Sequence, residues 1–169
     1  MNSDFLIREW NPSDSVSALT RLLHDAYAPL AAKGFRFLAS HQDDTMTLRR
    51  LSEGWSFVLE RDREVIVTIG LRGPDAGSEC EWYCRPDVFS IGQFAVRPDC
   101  QGQGFGSRLL SHGEARARQW GAVHLALDTA EGAAELLAWY ARLEFQLVGT
   151  VCWPETNYRS KVLSKRLLS

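Results

Sequence analysis

The residues with the clearest chemistry are Gly102, Gly104 and Gly106, spaced two apart within Gln101-Gly102-Gln103-Gly104-Phe105-Gly106-Ser107. Ahead of them Ile91 to Val96 are apolar or small, and Arg97-Pro98-Asp99 stops that run, because proline has no N–H to give to a strand ladder. Behind them Leu109, Leu110, Gly113, Ala117 and Trp120 recur at helical spacing. The stretch reads as strand, tight turn and helix. Its glycines let the backbone approach a ligand, and the unpaired N–H groups of the first helical turn, with the helix dipole behind them, favour a phosphate or pyrophosphate.

Spacing separates the ligands that use such a cradle. A dinucleotide fingerprint counted from Gly102 needs glycine where Ser107 stands, although Asp128 follows at about the distance of a ribose-binding acid. That fingerprint also opens its domain, whereas this turn lies late in the chain. A Walker A loop needs Gly-Lys-Ser/Thr, and the turn holds no lysine. The run does match Q/R-x-x-G-x-G/A after a strand ending Phe94-Ala95-Val96-Arg97-Pro98. In this it resembles the acetyl-CoA signature of the GNAT superfamily of N-acetyltransferases. The resemblance follows the order of elements over most of the chain and is sharp from Ile91 to Phe145.

Acetyl transfer from a thioester to an amine requires a neutral amine, a stabilised tetrahedral oxyanion and a proton for the leaving thiolate. The resemblance implies that Gln101, Gly102, Gln103, Gly104, Phe105, Gly106 and Ser107 hold the pyrophosphate of acetyl-CoA. It gives the backbone of Phe94, Ala95 and Val96 to the oxyanion and the pantetheine arm, where the family's central strand splays from a parallel neighbour. It makes Tyr140 the general acid, inside A-x-x-L-L-x-x-Y-x-R-L-x-F from Ala133 to Phe145. On side chains alone, Phe94 to Val96 fit an ordinary buried strand and Tyr140 fits a core tyrosine beside leucines. Glu144 departs from the family's glycine ahead of Phe145, which puts the turn geometry at that helix end in question.

The general base is unmarked. An amine of pKa about 10.4 is less than about a thousandth neutral at pH 7, so a base or a water chain must help. Ser90 to Val96 contain no carboxylate; Glu79, Glu81 and Asp128 are nearest in sequence, and His124 alternates onto the strand face of Asp128. Each also has a structural reading, Asp128 as a cap for the turn at Thr129 to Gly132.

The chain has 169 residues, 19 basic against 21 acidic, for a net charge of −2. That length suits a single domain over residues 1–169, and the mixed charge supplies neither a basic face for nucleic acid nor a polybasic segment for a membrane. No apolar run approaches the roughly 20 residues of a span, and Met1 to Trp10 lack the order of a signal peptide, so a cytoplasmic protein is expected. Cys80, Cys84, Cys100 and Cys152 lack metal-ligand pairing and read as reduced thiols, with no metal cofactor. Cys100, just ahead of the glycine turn, is a bystander or a thiol activated by helix N–H groups.

The elements that would position this chemistry follow from pattern. Phe5 to Arg8 form a first strand; Val16 to Tyr27 form a helix that Pro29 limits; Leu30 to Gln42 are irregular; Asp43 or Asp44 caps a short helix ended by Gly54. Trp55 to Glu60 and Glu64 to Leu71 read as a hairpin, Val123 to Asp128 as the parallel partner of the central strand, and Ala133 to Leu143 as a helix. Phe145 to Trp153 and Tyr158 to Leu167 close the chain as two strands. The fold class is α/β, a mixed, mostly antiparallel sheet with a central splayed parallel pair, flanked by helices, as the resemblance implies. Phe35, Phe37, Trp82, Tyr83, Trp153 and Tyr158 fall in segments that border the acceptor cleft in relatives. With Arg36 they suggest a small-molecule or peptide amine with an apolar or carboxylate-bearing body rather than a polyamine. A CoA-binding regulatory module without turnover is the alternative, and a homodimer is compatible with either.

Overall fold

A computed structural model describes residues 4–168, so the parts of the readings above that rest on Met1–Ser3 and Ser169 lie outside the described residues. Seven strands form one sheet in the order β1-β2-β3-β4-β5-β7-β6. They are β1 (Phe5–Glu9), β2 (Trp55–Arg61), β3 (Glu64–Arg72), β4 (Val88–Val96), β5 (His124–Ala130), β6 (Gln146–Val151) and β7 (Ser160–Arg166). The helices are α1 (Val16–Ala32), α2 (Asp44–Ser52), α3 (Phe105–Gln119) and α4 (Ala134–Arg142). All neighbouring strands pair antiparallel except β4 and β5.

Residue pattern explains the layering. In β3 the run Ile66 to Leu71 is buried on both faces, as a central strand between helical layers must be, whereas the edge strands β1 and β6 are largely exposed. Leu109, Leu110, Gly113 and Ala117 make the buried stripe of α3, which lies on one face over Phe57, Ile69 and Leu71. A Cβ on Gly113 would stand 3.6 Å from both Ile69 and Leu71, so the helix sits close on the sheet. Leu19, Leu22 and Leu23 of α1 and Leu51 of α2 cover the other face. Each helix on that face starts on a side-chain cap, Ser15 accepting from the Ala18 N–H and Asp43 from the Met46 N–H.

Pro29 does not end α1 as the sequence suggests; the helix runs three residues further, to Ala32. Proline withholds the N–H that would bond the Asp25 carbonyl, but Asp25 and Pro29 are both exposed, so water can take its place. Within the irregular segment the chain forms a single short helical turn, Leu38–Ser40. The central strand β4 begins earlier than the apolar run suggests, at Val88.

The feature that matters for function is how little β4 and β5 pair. Their register is Val88 with His124, Phe89 with Leu125 and Ser90 with Ala126, and beyond Ser90 the strands part. On its other side β4 stays on β3 but carries a bulge, since Thr68 faces Ala95 and Gly70 faces Gly92, leaving Gln93 and Phe94 against one residue. Gln93 takes a positive φ of 47° there. A bulge bends its strand and raises its twist, which turns the end of β4 away from β5.

Candidate active site

The splay opens into a cavity of about 690 Å³ bounded by α1, β4, the glycine turn, α3 and α4. At one end lies the glycine turn. Gly102 and Gly104 have φ of 73° and 83°, conformations that side chains rarely adopt, and a Cβ at either would project into open space. Among the described residues no acceptor meets the N–H groups of Gly102 to Ser107, the first backbone bond of α3 being Arg108 N–H to Gly104 O. Gly106 serves packing instead, because a Cβ there would come within 2.9 Å of the Val96 side chain.

Along the wall, the Arg97 N–H bonds Ile66 O (2.8 Å), which places Arg97 in the β3 ladder. Antiparallel alternation then turns the backbone groups of Val96 into the gap and those of Ala95 toward β3. Two carbonyls on this edge are met by side chains, Phe94 O by the Tyr27 hydroxyl (2.9 Å) and Val96 O by Gln101 Nε2 (3.1 Å). Tyr140 lines the same cavity from α4, packed edge-on against Phe145. Burial holds its phenol well above the usual value, with the neighbouring Tyr27 adding to the rise, so it stays protonated. Burial likewise pushes Tyr27 up to about 12.

Of the sequence-derived positions, Phe94, Ala95, Val96, Tyr140 and the turn residues line this cavity, except Gln103. The Gln103 amide turns back to the Asp99 carbonyl (3.1 Å). Cys100 is buried in the wall, with Arg61 Nη2 3.4 Å from its sulfur. Glu144 keeps a glycine-type turn despite its side chain, with φ of 70°. The N–H groups of Glu144 and Phe145 bond Ala141 O and Tyr140 O (3.0 and 3.1 Å) and so cap α4 behind Tyr140.

Across the gap, on the face of the sheet covered by α1 and α2, lies Asp128 of β5. The Tyr83 hydroxyl donates to its Oδ1 and Trp153 Nε1–H to its Oδ2, each at 2.8 Å. Asp128 therefore does not cap the following turn. Tyr158 stands close enough to feel its charge, though burial is the larger cause of its raised pKa. Glu79 and Glu81 are exposed and outside this arrangement. His124 packs on Trp82 at the closed end of the parallel pair. Phe37 is 8% exposed, sandwiched between Tyr27 and Tyr158, and Arg36 is exposed.

Sequence reasoning missed a polar cluster beneath the bulge. Gln42 Nε2 donates to Gln93 Oε1 (2.6 Å) and to Thr47 Oγ1 (2.7 Å), and Arg50 Nη1 donates to Gln42 Oε1 (2.7 Å). The signal was in α2, where buried Thr47 and Leu51 place Arg50 between them on the inward face.

Among the described residues no three histidine, cysteine, aspartate or glutamate side chains converge to hold a metal, and no helix is long and apolar enough to cross a membrane. Comparison with known proteins agrees with the geometry. The chain is 35% identical over 95 residues to the S-(2-succino)cysteine N-acetyltransferase of Bacillus subtilis (strain 168), covering 54% of this chain and 53% of that one. It is 29% identical over 102 residues to the S-alkylcysteine N-acetyltransferase of the same organism, covering 60% and 54%. The match thus spans about half the length of each relative. The fold matches the ribosomal-protein-S18-alanine N-acetyltransferase from Escherichia coli with a TM-score of 0.71 at 16% identity, over 97% and 94% of the two chains. It also matches a GNAT family acetyltransferase from Elizabethkingia anophelis with acetyl-CoA bound, with a TM-score of 0.69 at 15% identity over 99% and 100%. The pattern of the acetyltransferase (GNAT) family matches residues 17–145, and with the splayed parallel pair and its glycine turn this chain belongs to that family.

Proposed function

We propose that this chain, acting as one domain over residues 1–169, moves the acetyl group of acetyl-CoA to a primary amine in a ternary complex. The observation that carries the reading is that unpaired N–H groups of the glycine turn and the Tyr140 side chain line one cavity on the splay. The turn residues Gln101, Gly102, Gly104, Phe105, Gly106 and Ser107 take the pyrophosphate, and Gln103 supports the turn through its bond to Asp99. The Phe94 to Val96 strand guides the pantetheine, with the inward Val96 N–H placed for its amides or for the oxyanion. The likeness to a neighbour named as holding acetyl-CoA supports the cosubstrate.

The amine enters from the face that carries Asp128. Asp128 accepts its proton, the neutral nitrogen attacks the thioester carbonyl, and the N–C bond forms as the C–S bond breaks. The sulfur leaves with the proton of Tyr140, so the products are amide and CoA thiol. As the N–C bond forms the nitrogen gives up its second proton, which restores the Tyr140 phenol through solvent, and Asp128 releases the first to bulk water, so ammonium and thioester become amide, thiol and one proton. A thiolate whose thiol has a pKa near about 8.5 is a weaker base than the phenolate of Tyr140, whose pKa burial raises, so the tyrosine keeps its proton until negative charge develops on sulfur and is reprotonated promptly afterwards. Small-molecule and protein amines are both represented among the similar proteins, two being named for cysteine conjugates and one for a ribosomal protein alanine.

The test is release of CoA thiol from acetyl-CoA with a panel of amines, for the wild type and Tyr140→Phe. The variant is expected to lose about a hundredfold or more in kcat while its affinity for acetyl-CoA stays within about twofold. Wild-type turnover by the variant would remove the tyrosine from the mechanism. Acetyl-CoA binding without turnover on any amine would favour a silent CoA-binding module.

A further inference from the structure

Arg50 of α2 is a half-buried cation that bonds no carboxylate among the described residues. Its neighbours are paired, Arg72 and Arg49 both with Glu53 (2.7 and 3.4 Å). Among the described residues no carboxylate lies within 4.0 Å of Arg50 itself, whose recorded bond is from Nη1 to the neutral amide oxygen of Gln42. Burial is the main reason its pKa is pushed down to about 10, with the charge of Arg72 adding to the effect. The guanidinium is half-buried, the charge of Glu53 acts on it without bonding it, and the remaining donors of its planar fork, Nη2 and Nε, match a carboxylate.

Its position relative to Asp128 narrows the ligand. Nη2 stands 3.6 Å from where a Cβ of Gly92 would be. Gly92 and Asp128 each lie two residues beyond the last parallel pair, Ser90 with Ala126, so they face each other across the gap at one level. Both open on the face covered by α1 and α2, since Arg50 of α2 stands over Gly92, and Asp128 bonds Tyr83 and Trp153. The strands have parted there, so the gap exceeds the ordinary spacing of about 4.8 Å. Gly92 and Ala126 put almost no side chain between the two charges. Tyr27 lies within electrostatic reach of both, and its hydroxyl closes the boundary with the cofactor cavity through Phe94 O.

We propose that the acceptor is an α-amino acid or a close analogue, its carboxylate on Nη2 and Nε of Arg50 and its amino group at Asp128. One α-carbon holding both charges spans the gap between the two walls and presents the nitrogen to the thioester. This rests on the transferase reading for the role of Asp128, and adds the carboxylate as the feature that selects the substrate.

Two matched pairs test it: S-benzyl-L-cysteine against 2-(benzylthio)ethylamine, and L-phenylalanine against phenethylamine. With wild-type protein and acetyl-CoA, at least one amino acid should exceed its decarboxylated partner in kcat/KM by about a hundredfold, as expected when a site's buried charge is left unpaired. Arg50→Gln should collapse that ratio toward unity, chiefly through the KM of the amino acid. Gly92→Ala, whose added methyl would make only ordinary contact with Nη2, should cover the fork and shift the ratio the same way without depending on the Gln42 contact. Equal use of acid and amine by the wild type overturns the proposal, as does a variant that slows both substrates in proportion. If no amine releases CoA, the transferase reading fails by itself, and calorimetric titration of S-benzyl-L-cysteine into CoA-loaded protein then decides the anchor. Binding that Arg50→Gln weakens about a hundredfold sustains it, and absence of binding to the wild type overturns it.

Discussion

Asp128 has both donors in place before any substrate arrives, and each has a different capacity to adapt. Trp153 Nε1–H can only donate, whereas the Tyr83 hydroxyl can donate or accept. An asparagine at 128 can keep its oxygen on Trp153 and turn its amide to the Tyr83 oxygen, so the cluster survives while the charge is lost. Asp128→Asn is therefore expected to melt within a few degrees of the wild type and to lower kcat/KM for the amine about a hundredfold with the affinity for acetyl-CoA unchanged. Thermal melts and initial rates check it together; a variant that loses stability but not rate would make Asp128 a structural residue. Tyr140 differs in that it lines the cavity and its hydroxyl bonds no group among the described residues, which is why removal of that hydroxyl should act on turnover rather than on folding.

The end of α4 is the element that aims Tyr140, and it is built under strain. Glu144 holds a φ of 70°, where a Cβ-bearing residue costs about 1–2 kcal/mol relative to glycine. The strain is offset by the two backbone bonds from residues 144 and 145 that close the helix and by burial of Phe145 against Tyr140. Glu144→Gly should relieve it, and because glycine also loses more chain entropy on folding the net gain is expected near 0.5–1 kcal/mol. At about 2–4 °C per kcal/mol for a domain of this size, calorimetry should show a rise of one to a few degrees in Tm without a change in kcat. A lower Tm would mean that the Glu144 side chain contributes more than its backbone costs.

At the scale of the molecule, the cavity is the opening of a defect in the sheet, the parting of β4 from β5. A ligand that bridges the parted strands must stabilise the whole fold, since β4 and β5 are joined to each other by only three register pairs. Acetyl-CoA at about 100 times its Kd is expected to add about 2.7 kcal/mol, a rise of roughly 5–10 °C in Tm, while NAD at the same concentration should leave it unchanged. Differential scanning fluorimetry with both ligands makes the comparison, and a shift with NAD alone would favour the dinucleotide reading that Ser107 argues against.

The sequence by itself determined the elements and the glycine turn, because these depend on local rules. Glycines at 102 and 104 mark positions of positive φ, apolar stripes mark α1 and α3, and a run rich in β-branched residues marks β3. It also placed Tyr140, through a motif that keeps its distance from the helix end even where Glu144 replaces glycine. The partners of Asp128 were beyond its reach, since Tyr83, Asp128 and Trp153 are separated by 45 and 25 positions and meet only when β5, β7 and the Glu81–Cys84 turn pack on one face. Arg50 is the sharpest case. Two adjacent arginines in α2 look alike along the chain, yet helix rotation sends Arg49 to Glu53 and Arg50 inward to Gln42 and Gly92, a placement that only the packing of α2 on β4 decides.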